Sequence, residues 1–169
     1  MTRELVVSDE VRRALVTLRK FSLRQKPVAV VDAARVADVE KALGCSLHDE
    51  FLATLAAQLD PPGDAKILDL SDVVEVTKQL RKLDWGTNRV AIGHANVDGP
   101  VYYHVGSQPP KTALKVNDNT HYLGDYGRWL EDYASVGRDF FAEGTNDQRA
   151  LASWQPTNEE LQGFYPEIG

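Results

Sequence analysis

The chain has 169 residues and a mass of 18.8 kDa. That length is enough for one domain that buries about 70% of its unfolded surface, so neither a disulfide framework nor a structural metal is needed. A hydrophobic content of 43% and a charged content of 26% exclude a mainly disordered or fibrous chain. No apolar run approaches the ~20 residues of a membrane span, and the first ten residues carry charges rather than a signal-peptide core. We therefore expect a cytoplasmic protein that binds no membrane, and the single cysteine, Cys45, excludes an intramolecular disulfide.

The formal charge of −6 is distributed unevenly along the chain. Residues 1–26 carry seven bases and three acids, whereas residues 27–137 carry ten bases and sixteen acids and residues 138–169 carry two bases and six acids. We expect a basic helical extension, a core domain and an acidic, aromatic-containing tail that docks on the core, with these boundaries. We expect either that the basic extension packs near the acidic tail or that the extension and the tail are each exposed to solvent. A nucleic-acid-binding arm is a third option, disfavoured because the acidic remainder would repel phosphate.

Apolar spacing and capping residues predict four helices in the first half of the chain. Ser8 caps a helix that ends near Arg24, and Asp32 caps a second helix that Gly44 terminates. A third helix covers residues 47–59. A short strand at residues 66–70 then leads into a fourth helix, for which Ser71 is the predicted cap.

From residue 89 the apolar period changes to two, which predicts strands. Segments 89–94 and 101–105 flank Asp98–Gly99, a pair that favours a type I′ hairpin turn. Two further strands are expected at residues 112–116 and 120–123, and a helix begins near Asp125 and breaks at Gly137. The predicted hairpin register places Val97 opposite Pro100, Ile92 opposite Val105, and His94 opposite Tyr103. The order of elements is typical of a single α+β domain with an antiparallel sheet of about four to six strands flanked by helices.

A search for reactive groups gives little support for catalysis. The four histidines, His48, His94, His104 and His121, lack the i, i+4 spacing of a zinc-binding helix, and no phosphate-binding glycine loop is present. Cys45 is expected to be a small buried hydrophobe. Helix acids such as Glu131 are expected to lie on solvated faces. We therefore predict a protein that is not an enzyme and that uses no cofactor and no metal.

Three segments, read together, resemble the SUKH superfamily of cell-wall-assembly regulators and bacterial toxin-immunity proteins. Residues 39–52 resemble its opening signature of a helix, a glycine and an acidic helix start. Residues 92–103 are similar to its glycine-containing hairpin with an aromatic return strand, and residues 122–130 to its final strand and Trp-Leu helix. The sequence departs from the family pattern at His48, where proline is usual, and at residues 60–63, where a glycine-rich corner is expected.

The resemblance implies a SUKH-like fold and a cytosolic binding protein. It further implies an immunity protein that binds and neutralises a cognate secreted toxin, with nucleases among the toxin classes concerned. The partner is then expected to have a basic surface, because an acidic binder is steered to it. The protein itself is expected to be a monomer or a weak dimer that binds no nucleic acid. Candidate contacts lie in polar loops, with two aromatic anchors: Asp60, Asp64, Asp98, Asn117, Asp118, Asn119, Trp85 and Tyr102.

Two alternatives remain open at this point. One is a regulatory or scaffold protein of the same fold that binds an endogenous partner. The other is a small enzyme whose site assembles from residues distant in sequence, such as His94, His121 and Asp118.

Overall fold

A computed structural model describes residues 2–62, 66–82, 88–95, 99–107, 110–116 and 119–169. The described helices are α1 (Asp9–Phe21), α2 (Ala33–Leu43), α3 (Asp49–Ala56), α4 (Leu70–Lys82), α5 (Tyr126–Ala142), α6 (Asn146–Ala152) and α7 (Asn158–Gln162). The described strands are β1 (Arg3–Glu4), β2 (Val30–Val31), β3 (Lys66–Ile67), β4 (Arg89–His94), β5 (Pro100–His104), β6 (Lys111–Val116), β7 (Asn119–Asp125) and β8 (Glu167–Ile168).

Five strands form an antiparallel sheet in the order β3-β4-β5-β6-β7. A small second sheet places β8, at the end of the chain, between β1, which is antiparallel to it, and β2, which is parallel. The helices pack around these sheets and give a single α+β domain. The predicted α+β class is therefore confirmed, and the five described strands of the main sheet fall within the predicted range of about four to six.

Local capping explains where α1 and α2 begin and end. The Ser8 hydroxyl accepts the Val11 amide at 3.2 Å, as an N-cap residue should. The Asp32 carboxylate caps α2, and Gly44 closes that helix at φ 72°, a left-handed conformation that favours glycine. The predicted start of α4 was wrong by two positions, because a cap at Ser71 implies a first helical residue at Asp72, whereas the helix begins at Leu70.

The β4–β5 hairpin has a different register from the predicted one. His94 lies opposite Pro100 and Val90 opposite Tyr103, and the register shifts between Ala91 and Gly93. The one-residue shift accounts for one position of the difference, and the remainder comes from the connection, which has five residues instead of the predicted two. Residues 95–99 therefore connect the strands, and of these Asn96, Val97 and Asp98 lie outside the described residues.

Gly137 does not break the last long helix, as the sequence suggested. Helix α5 continues through it to Ala142. A Cβ atom at Gly137 would lie 3.0 Å from Cδ2 of Phe21, so the glycine allows α1 and α5 to pack closely. The boundary drawn between residues 137 and 138 consequently falls inside one continuous helix.

The basic extension, the core domain and the acidic tail all contribute residues to one hydrophobic core. Leu15 and Leu18 of α1 and Phe164 of the tail are buried in the same cluster as Phe51 and Ile92. Two arginines also bind backbone carbonyls of the tail. Nη1 of Arg12 donates to the Phe164 carbonyl, and Nη1 of Arg138 donates to the Trp154 carbonyl at 2.7 Å.

Candidate functional site

The predicted contact residues do not form one surface among the described residues. Asp64, Trp85, Asp98, Asn117 and Asp118 lie outside the residues that the structure describes. Asp60 is exposed beside the β3 edge of the main sheet, and Asn119 is exposed on β7 at the opposite edge. The two edge strands are separated by four inter-strand spacings, each of about 4.8 Å.

Tyr102 is buried, which corrects its prediction as an exposed aromatic anchor. Its relative exposure is 0%, and its neighbours Val101 and Tyr103 are also buried. Strand β5 is central in the sheet and is covered on both faces, so its aromatic residues build the core. The Arg89 guanidinium lies over the Tyr102 ring, 5.2 Å from its centroid.

Four carboxylates from three helices meet at one corner of the domain. We call this group, Glu10, Glu50, Asp125 and Glu131, the acidic corner. Glu10 lies in the first turn of α1, Glu50 in the first turn of α3, and Asp125 immediately before α5. Glu131, which the sequence placed on a solvated face, is exposed on α5 and carries its charge close to Glu10.

Hydrogen bonds between α1 and α3 fix the geometry of the acidic corner. Oε2 of the buried Glu50 accepts the Ser8 amide at 3.1 Å and the Ser8 hydroxyl at 3.0 Å. Glu10 then lies against α5, since a Cβ atom at Gly127 would be 2.9 Å from the Glu10 carboxyl carbon. A glycine at this position allows a carboxylate to lie directly against the start of a helix.

The acidic corner holds more negative charge than its surroundings neutralise. Loss of hydration raises the pKa of Glu10 above its usual value, and the charges of Glu131, Asp125 and Glu50 raise it further. Each helix N-terminus supplies roughly half a positive charge, which explains how three helix starts can hold these groups together. The ion pairs among the described residues, Arg3–Asp49 and Arg128–Asp132, use no carboxylate of the acidic corner.

A hollow of about 570 Å³ lies between the start of α3 and the end of β5. Its lining includes Cys45, His48, Asp49, Tyr103 and His104, a set that sequence reasoning did not bring together. These residues come from two separate stretches of chain, and Val6 adds a third, so no local motif marks them.

Two polar side chains of this hollow bind backbone amides. Nδ1 of His48 accepts the Glu50 amide at 3.2 Å and so caps α3, while the Tyr103 hydroxyl accepts the His48 amide at 3.1 Å. Burial raises the pKa of Tyr103, and burial together with the positive charge of Arg89 lowers the pKa of His104. Nη2 of Arg81 donates to the Cys45 Sγ atom at 3.9 Å.

The two histidines of the predicted dispersed enzyme site lie apart from each other. His94 is on β4 and His121 is on β7, with β5 and β6 between them, a separation of about 14 Å. Asp118 lies outside the described residues. No group of three or more His, Cys, Asp or Glu side chains in the described ranges could hold a metal ion. Within the same ranges, no helix combines the length and the apolar character that a bilayer span requires.

Comparisons with protein-family models, with curated proteins and with solved structures give no match for this chain.

Proposed function

We propose that the chain is a SUKH-like immunity protein that binds a secreted bacterial toxin inside the cytoplasm and neutralises it by direct contact. The acidic corner is the observation that supports this proposal. Like charges held together cost stability, and a partner that brings lysine or arginine side chains to them relieves that cost. The resemblance of three segments to the SUKH superfamily supports a secreted toxin as the class of partner.

The proposed mechanism is binding without a reaction. An acidic surface attracts a basic partner over distances comparable to the Debye length, about 8 Å at physiological salt, and raises the association rate. The toxin classes that fit are those whose active surface is basic, such as nucleases, which must attract phosphate. Occupation of that surface by the carboxylates of Glu10, Asp125 and Glu131 would exclude the substrate.

Co-expression with the toxin-like product of the neighbouring gene tests the proposal. The wild-type chain should restore growth, and the double variant Glu10→Gln with Glu131→Gln should restore it less well. A double variant with the same loss of charge, Glu143→Gln with Glu159→Gln, provides the control, because these exposed tail residues lie outside the acidic corner.

Kinetics with the purified toxin add a second measurement. The association rate should fall steeply as salt rises from 20 to about 150 mM for the wild type and less steeply for the acidic-corner variant. Failure of the wild type to restore growth would count against toxin neutralisation. Equal rescue by both double variants would remove the acidic corner from the binding surface.

A further inference from the structure

The hollow between the start of α3 and the end of β5 contains a buried hydroxyl group whose proton no described residue accepts. Tyr103, which is 2% exposed, is one of the residues that line this hollow. Its oxygen accepts the amide of His48, which also lines the hollow, so the hydroxyl end of the ring lies at the hollow. A tyrosine hydroxyl can donate as well as accept, so its proton is available to a group inside the hollow.

The Tyr103 hydroxyl is a hydrogen-bond donor at neutral pH. Burial raises its pKa above the usual value, so the group keeps its proton. A buried donor without an acceptor is costly, and an acceptor oxygen of a ligand would therefore be favoured at this position.

The charged and titratable groups around the hollow favour an uncharged ligand. Asp49 is the carboxylate of the lining, and no lysine or arginine is among the described lining residues. Oδ1 of Asp49 pairs with Arg3 at 3.4 Å, and Oδ2 accepts the Val6 amide at 3.0 Å. Nδ1 of His48 accepts the Glu50 amide, which a protonated imidazole could not do. An anion would find no cation here, and a cation would find a carboxylate that already has partners.

The rest of the lining supplies apolar contacts. Val6, Leu47 and Val105 contribute to it, and Val6 is 76% exposed, so it borders the opening. The volume of about 570 Å³ is within the range of about 300–1,000 Å³ that is typical of small-molecule sites. Such sites combine an apolar lining with a few polar groups that orient the ligand, and the Tyr103 hydroxyl is such a group.

We propose that this hollow binds a small uncharged carbonyl compound of the size of an aromatic carboxamide. The carbonyl oxygen accepts the Tyr103 hydroxyl proton, and the apolar body of the ligand lies against Val6 and Val105. This inference goes beyond the proposed function, because the acidic corner attracts a protein by charge whereas the hollow selects a ligand without charge. Its test uses the purified chain and no toxin, so failure of toxin neutralisation would leave it unaffected.

Benzamide is the probe, titrated against the full chain and followed by ligand-observed NMR. Benzoate and benzylammonium are companion ligands of similar size that carry a charge. Tyr103→Phe removes the hydroxyl, and Tyr126→Phe is the matched control, because it removes another buried hydroxyl that lies outside the hollow.

A second pair of variants tests the hollow without a change in the core. Val6→Trp fills the opening from an exposed position, and Val136→Trp places the same side chain at an exposed position on α5. If Tyr103→Phe does not fold, because the His48 amide also loses its acceptor, this second pair decides the test.

Benzamide should bind the wild type and both controls alike, Tyr103→Phe about fivefold more weakly and Val6→Trp about tenfold more weakly. Benzoate and benzylammonium should bind the wild type about tenfold more weakly than benzamide. Saturating benzamide should also slow the alkylation of Cys45 by iodoacetamide, because Cys45 lines the hollow.

Three results would overturn the proposal. They are no binding of benzamide, equal affinity within either pair of variants, and an unchanged alkylation rate of Cys45, which would place benzamide elsewhere. Tighter binding of either charged ligand would overturn the uncharged class.

Discussion

The Ser8 hydroxyl connects the starts of two helices, so its removal should weaken the whole acidic corner. It accepts the Val11 amide as the N-cap of α1 and donates to the buried Glu50 carboxylate at 3.0 Å. Loss of an N-cap costs about 1 kcal/mol, and loss of a hydrogen bond to a charged group about 1.5–3 kcal/mol. Because Ser8 is exposed, water replaces part of what is lost, and we expect Ser8→Ala to lower the free energy of unfolding by about 2 kcal/mol.

Urea denaturation and thermal unfolding, both followed by circular dichroism at pH 7, measure this effect. In a chain of this length, 2 kcal/mol corresponds to a fall in Tm of about 4–8 °C. Ser8→Thr keeps the hydroxyl and should recover most of the loss. Ser153→Ala removes an exposed serine hydroxyl at the end of α6 and should change the free energy by less than about 0.5 kcal/mol. The reasoning fails if Ser8→Ala matches the wild type or if Ser8→Thr is as unstable as Ser8→Ala.

Three more predictions follow from single contacts. The Thr54 hydroxyl donates its proton to the Glu50 carbonyl, so in its hydrogen bond with the Tyr126 hydroxyl, at 2.8 Å, Tyr126 must be the donor. Tyr126→Phe removes this bond and should lower the free energy of unfolding, measured by urea denaturation, by about 1 kcal/mol. The pKa of Glu10 is raised on folding, so its ionised form destabilises the fold at neutral pH and protonation removes this effect as the pH falls toward 4.5. Glu10→Gln should therefore raise Tm at pH 7, by no more than about 2 °C, and the gain should vanish near pH 4; a lower Tm at pH 7 would contradict this. Arg138→Gln should speed chymotryptic cleavage of the tail about tenfold, with Arg138→Lys intermediate, and an unchanged cleavage rate would show that the arginine does not hold the tail.

Features that depend on a few neighbouring residues were predicted from the sequence. Helix α2 starts after Asp32 because a carboxylate can accept the first amides of a helix. It ends before Gly44 because a glycine can adopt positive φ at a helix end. The two strands after residue 110 were predicted because their apolar period is two. These signals act within one element and need no knowledge of the rest of the fold.

Features that depend on contact between distant elements were not predicted. The register of the β4–β5 hairpin shifts between Ala91 and Gly93, and Gly93 lies beside β3, where a Cβ atom would be 2.5 Å from the Lys66 carbonyl oxygen. The predicted register assumed a two-residue turn at Asp98–Gly99 and was wrong, because the connection between the strands has five residues. Gly137 was taken for a helix end, although its role is to make room for Phe21.

The acidic corner is the strongest example of a site that the sequence conceals. Glu10, Glu50 and Glu131 each look like an ordinary helix acid, and none of them lies in the loops that were proposed as the binding surface. Only the packing of α1 against α5, together with the hydrogen bonds from Ser8 to Glu50, reveals the concentration of negative charge. A search for binding residues among loops and turns could not have found it, since helix starts were read as local capping and not as parts of one surface.

The acidic corner follows from the way that α3 is placed in the domain. The start of α3 lies beside the start of α1, where Ser8 donates to Glu50, and Glu10 of α1 lies against the start of α5. The partial positive charges of these helix starts allow carboxylates to accumulate there. A concentration of charge of this kind orients a charged partner before contact, so reversal of charge in the acidic corner should lower the association rate of a basic partner, and the effect should shrink as rising salt shortens the Debye length.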